Sequence, residues 1–135
     1  MITDPTKRRP GVIITRSLSD CRVGDKLIVR WKPKKMPVGV RHLPIFAPSS
    51  RLLSEAKKDP NAWSWYPDEY KDEMRALYRN NQAPFDTLIA DAHERGVVLV
   101  CYCRTAEWPP DTECHRILLA DALGKVDPTL RVEHR

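Results

Sequence analysis

The chain has 135 residues, enough for one hydrophobic core, and its 41% apolar and 30% charged residues exclude wholesale disorder. A net charge of +5 admits a phosphate or nucleic-acid partner without demanding one. There is no apolar run of about 18 residues, and the opening MITDPTKRRPGVIITRS lacks the apolar stretch and cleavage pattern of a secretion signal. No membrane span is therefore expected.

The reading is of a cytoplasmic protein, in which Cys21, Cys101, Cys103 and Cys114 are expected to stay reduced. Cys101 and Cys103 stand two apart in a predicted strand, a poor geometry for a bridge between them.

Taken in order, residues 1–10 are polar, with Lys7, Arg8, Arg9 and two prolines, and read as a flexible basic arm. Residues 11–135 read as a single α/β domain. The β-branched run at 12–15 predicts a buried strand, and 26–31, after the turn residues Gly24-Asp25, predicts a second. Four prolines in 32–48 exclude a long helix there. A short strand is expected at 43–47. Ser49 or Ser50 then caps a helix over 50–58, with Leu52, Leu53 and Ala56 on one side.

Pro67, Asp68 and Glu69 open the next helix, with Tyr70, Met74, Leu77 and Tyr78 as its apolar stripe. Asn80-Asn81 interrupts it. Pro84 starts another helix carrying Phe85, Leu88, Ile89 and Ala92, closed by Gly96. The uncharged run VVLVCYC at 97–103 predicts a strand covered on both faces. A loop with Pro109-Pro110 follows. A last helix is expected over 113–124, capped by Asp111 or Thr112 and ended by Gly124, and a short strand over 130–132. Alternating strands and helices predict a mainly parallel sheet of about four or five short strands with helices on its faces.

Ligands of such sheets bind beyond the carboxyl ends of the strands. Cys103 ends the most apolar strand, and Cys101 points to the same face. Cys114 falls in the first turn of the next helix, where positive polarisation and the neighbouring Arg116 favour a thiolate. Arg116 supplies a planar fork for carboxylate or phosphate.

Three readings of this cluster stay open. In the first, Cys114 is nucleophile or polar anchor, His115 a proton carrier and Arg116 an anion clamp. In the second, Cys101, Cys103, Cys114 and His115 bind zinc, although the spacing is not that of a standard knuckle. In the third, the cysteines are small core residues. No other cofactor is expected, and enzyme activity is left open.

Further residues bear on the same pocket. Arg30, Lys32, Lys34, Lys35, Arg41 and His42 surround Trp31, a pattern that grips phosphates and stacks on a base. Packing of Trp31 onto the core in a solvated loop is the plainer account. Ser49 offers a hydroxyl at a helix start, for capping or for an anion. Trp63, Trp65 and Tyr66 read as core or sheet cover. His42 and His93 have no evident partner in the sequence.

The segment LVCYCRTAEWPPDTECHRILLADAL, with Cys101, Tyr102, Cys114, His115 and Arg116 in order, resembles the closing motif of the family called domain of unknown function 488. IITRS near the start, IVRWKP at 28–33, LPIFAPSSRLL at 43–53 and YPDEYKDEM at 66–74 resemble the same family, so the likeness covers about 11–123. It differs in having Cys103 where the family has glutamate after the tyrosine, and in a longer loop containing Trp108-Pro109-Pro110. The resemblance implies a compact α/β fold with a small pocket and no established activity.

The combined expectation is an anion-tolerant pocket on Cys114, His115 and Arg116, with Arg30, Trp31, Ser49, Cys101 and Cys103 nearby, acting on a nucleotide, a nucleic acid or another phosphorylated ligand. The alternative is a non-catalytic nucleic-acid or protein-binding module using the basic residues at 7–9 and 30–41.

Overall fold

The structure, a computed structural model, describes residues 8–17, 25–28, 39–101 and 115–134. Five strands form one sheet in the order β3-β2-β4-β1-β5: β1 (Val12–Ser17), β2 (Lys26–Leu27), β3 (Arg41–His42), β4 (Val97–Cys101) and β5 (Arg131–His134). Every pairing is parallel. Ile13 lies opposite Val97 and Ser17 opposite Cys101, while Thr15 lies opposite both Leu99 and His134. Parallel neighbours require crossovers; α1 (Ser50–Lys58), α2 (Tyr66–Asn80) and α3 (Ala83–Glu94) lie in the connection from β3 to β4, and α4 (His115–Val126) in that from β4 to β5.

Period-two alternation divides the sheet's side chains between two cores. Ile13, Val97 and Leu99 face the helices and meet Leu52 of α1, Tyr70 of α2, Phe85 of α3 and Leu119 of α4. Val12, Ile14, Leu27, Val98 and Val100 form the second, opposite cluster. Both faces of β4 are buried, as its uncharged run requires.

The segment after β3 departs from expectation. Residues 43–47 are not a strand; Pro44–Phe46 is a 3-10 turn. Leu43 N–H still bonds Leu27 O at 2.8 Å, but Pro44 has no N–H with which to continue the ladder. The turn sends Phe46 edge-on to Phe85, with ring centroids 5.2 Å apart, and leaves its carbonyl to accept from the Tyr70 hydroxyl at 2.8 Å.

Two glycines sit differently from one another. Gly96 has φ +84 and ends α3, as expected. Gly124 does not end α4, which runs on to Val126. A β-carbon there would lie 3.1 Å from Val132 of β5, so this glycine lets the helix approach the sheet. Arg9, at the inner end of the segment read as an arm, is anchored by ion pairing to Glu133, and its carbonyl accepts from Val12 N–H.

Candidate functional site

β4 and β1 are adjacent at the centre of the sheet, and the connections leaving them run in opposite directions, β1 to β2 and β4 to β5. A crevice at the carboxyl ends of the strands is expected at such a point. Thr15 and Arg16 of β1, Cys101 of β4, and His115 and Arg116 in the first turn of α4 converge on this region. All five are buried.

Arg116 is the most constrained of them. It is 5% exposed. Its Nη1 donates to Thr15 Oγ1 at 2.7 Å, while its Nε has no acceptor. Burial lowers its pKa, but a guanidinium stays charged in a protein. The first turn of α4 holds no acidic residue, so this cation stands at the end of the helix where the backbone dipole is already positive.

On the other face of the sheet, Arg16 reaches past β4 to Asp25, Nη2 to Oδ1 at 3.2 Å, and both residues are buried. Its Nε and Nη1 have no hydrogen-bond partner. Among the described buried residues there are thus two guanidinium groups, one carboxylate, and a histidine that burial keeps neutral. An anion would balance both the charge and the unused donors.

A polar chain runs from Arg116 to the surface. A guanidinium has no acceptor, so Thr15 Oγ1 accepts from Arg116 and its O–H donates to His134 Nδ1 at 2.8 Å. His134 Nε2 then donates to Asp121 Oδ1 at 3.0 Å. Hydroxyl, imidazole and carboxylate are connected here as in a nucleophilic triad. Thr15 is nevertheless fully buried and its oxygen already binds Arg116, so the chain orients the guanidinium.

His115 is buried too. Its Nε2 lies 2.8 Å from Ile28 O and donates to it, and the ring meets Tyr70 edge-on at 5.8 Å. Burial pushes its pKa down to about 4, against the pull of the Ile28 carbonyl and with help from Arg116. A neutral imidazole held in this way ties α4 to β2.

Ser49 is engaged as well. It caps α1 by accepting from Leu52 N–H at 3.1 Å, while its own N–H and hydroxyl both bond the Glu73 carboxylate of α2. Those contacts join two helices and leave the hydroxyl committed.

Cys101 departs from the expectation of reduced thiols: it is disulfide-bonded, to a partner outside the described residues. The spacing of cysteines along the chain does not disclose which of them the crossovers bring together. Arg30, Trp31, Cys103 and Cys114 lie outside the described residues, as do Lys7 and the basic residues at 32–35. Of the proposed zinc set, Cys101 and His115 would each have to leave a present partner to bind metal. No cluster of three or more potential metal ligands occurs among the described residues. No described helix is long and apolar enough to cross a membrane.

The sequence reading missed Thr15, Arg16, Asp25, Asp121 and His134. Arg16 carried a signal, since a charge directly after the β-branched run Val12–Thr15 is unusual in a strand covered on both faces. The partnership of Asp121 with His134 carried none. His93 does have a partner: its Nε2 meets Asp127 Oδ2 at 2.6 Å, which holds that carboxyl down to about 2.

A family model described as "Active DUF488-N3 subclade" matches residues 13–126, a span that includes all but the first residue of β1, the four helices and Arg116. No curated protein and no solved structure matches the chain.

Proposed function

The chain belongs to the DUF488 family, with the Active DUF488-N3 subclade as its matching model, and from that premise we propose that it binds the anionic group of a phosphorylated ligand beside Arg116. One observation carries this reading: a buried guanidinium with an unused N–H stands at the positive end of α4. Burying a cation without a full set of partners costs several kcal/mol, and adding the helix dipole raises that cost. A phosphate oxygen answers both at once. Arg16, on the opposite face, adds to the positive field at the same strand end. Ligand classes with such a group are nucleotides and nucleic acids.

Cys114 directly precedes His115 in the chain, and in this reading it is the nucleophile. His115 holds the helix start in place rather than carrying protons at neutral pH, as its low pKa and its bond to Ile28 suggest.

Calorimetric titration with inorganic phosphate, AMP and a short single-stranded RNA at low salt tests the binding. At least one should bind saturably, and Arg116→Gln should weaken that binding by about tenfold or more. If none binds, or if the folded Arg116→Gln protein binds equally well, the proposal fails. Iodoacetamide labelling of the reduced protein across pH tests Cys114, which should titrate below an ordinary thiol. An ordinary value would remove it from the chemistry.

A further inference from the structure

Away from that edge, α2 and α4 flank a groove of about 730 Å³. Core side chains close its base, Tyr70 and Met74 from α2 and Leu119 and Leu123 from α4, and its accessible apolar surface comes from Tyr78 of α2 and from Ala122 and Val126 of α4. Val126, one of the two large apolar residues most exposed among those described, stands on its rim.

The rim is cationic on both sides. Lys71, Arg75 and Arg79 follow one another along α2, and Lys125 lies on α4. Arg75 turns back onto Asp72, an exposed pair worth little. No carboxylate among the described residues pairs with Lys71, Arg79 or Lys125. Asp121, the one acidic residue in the lining, is already bonded to His134.

The order of these residues matters more than their number. Tyr70, Met74 and Tyr78 repeat every four residues, and Lys71, Arg75 and Arg79 repeat beside them. At 1.5 Å per residue, the cationic row runs for about 12 Å, beside an apolar strip to which Tyr78 of α2 and Ala122 and Val126 of α4 contribute the accessible surface. An amphipathic helix presents the complement of this pattern: an apolar stripe flanked by carboxylates at the same spacing. A single-headed amphiphile would engage one cation and leave the others unused. A second copy of this chain, docked through the same face, would set cation against cation.

We infer that the α2–α4 groove is a docking site for an acidic amphipathic helix of a partner protein, with apolar side chains against Tyr78, Ala122 and Val126 and carboxylates along Lys71, Arg75 and Arg79. Long-range attraction makes such binding steeply dependent on salt.

The test uses the full chain and a fluorescein-labelled peptide of about 15 residues, long enough to be helical, with leucines at helical spacing and glutamates on one flank. Anisotropy should show saturable binding, weaker at high salt. A scrambled peptide of the same composition should bind about tenfold or more weakly. Ala122→Trp, which fills the groove from the α4 wall, should abolish binding. The triple reversal Lys71→Glu, Arg75→Glu, Arg79→Glu should also abolish it, and a peptide with lysines in place of its glutamates should bind the reversed protein. That rescue keeps the test valid even if the reversal costs stability, because a misfolded groove would bind neither peptide.

Equal binding of the scrambled peptide, or failure of the charge swap, overturns the inference. So does occupation of the groove by anionic vesicles or an oligonucleotide in preference to the peptide, or dimerisation that Ala122→Trp abolishes.

Discussion

A threonine inside a parallel strand is often placed for its β-branched shape, but Thr15 works through its hydroxyl, which accepts from Arg116 and donates to His134. Thr15→Val keeps the shape, leaves the buried Arg116 Nη1 without its acceptor and returns the exposed His134 to water. The expected loss is about 1–3 kcal/mol in urea denaturation, together with weaker binding of whichever anion the wild type takes. Thr15→Ser should retain most of the stability. If serine and valine cost the same, the methyl group rather than the hydroxyl matters. Sequence alone showed Arg116 as a cation near a helix start, because helix polarity and residue type are local properties. It did not show that Thr15, 101 residues earlier in the chain, would fix the guanidinium, because that contact exists only once α4 lies against β1.

Helices and turns were the most legible level. The helix over 50–58 is present as read, with Ser49 rather than Ser50 as its cap, and so is the closure of α3 at Gly96. Ser49 does more than cap, however, since Glu73 of α2 takes both its N–H and its hydroxyl. Ser49→Ala should therefore cost about 1–2 kcal/mol in thermal or urea unfolding, toward the upper end for a lost cap. A loss of a few tenths would mean that the Glu73 contact contributes nothing. Gly96→Ala should be more damaging than a change of φ alone, because the new β-carbon would lie 2.3 Å from the Arg9 carbonyl oxygen. A drop of several degrees in Tm is expected, and an unchanged Tm would contradict that close approach. The same residue type misled at Gly124, where a packing contact with β5 explains the glycine better than a helix stop.

At the scale of the whole molecule, burial of His115 makes stability depend on pH. Its pKa is about 4 in the folded chain against an ordinary 6.5, so the unfolded state takes up the proton first as pH falls. The contribution is fully present above about 6.5 and is lost progressively down to about 4, amounting to about 3 kcal/mol at the lower limit. His115→Gln removes the titration while keeping a donor for Ile28, and it should flatten the fall in stability between pH 7 and pH 4 even if it lowers the plateau. An unchanged slope would show that His115 is not the buried base. The Arg9–Glu133 ion pair and the His93–Asp127 hydrogen bond likewise join segments far apart in the chain.

The amino-acid order by itself determined the helices and most of the strands, though not β3 or the turn at Pro44–Phe46, and it pointed to the region after β4 as a candidate site, because periodicity, caps and helix polarity act over a few residues. It also showed the family, through motifs that keep their order over most of the chain. Tertiary structure decided which polar groups meet. Arg116 with Thr15 and His134, Arg16 with Asp25, Ser49 with Glu73, and the apolar strip beside the cationic row of the α2–α4 groove all depend on how crossovers stack helices on the sheet. Burial then settles their protonation and their unmet hydrogen bonds, because desolvation is a property of the packed molecule and has no counterpart in the extended chain.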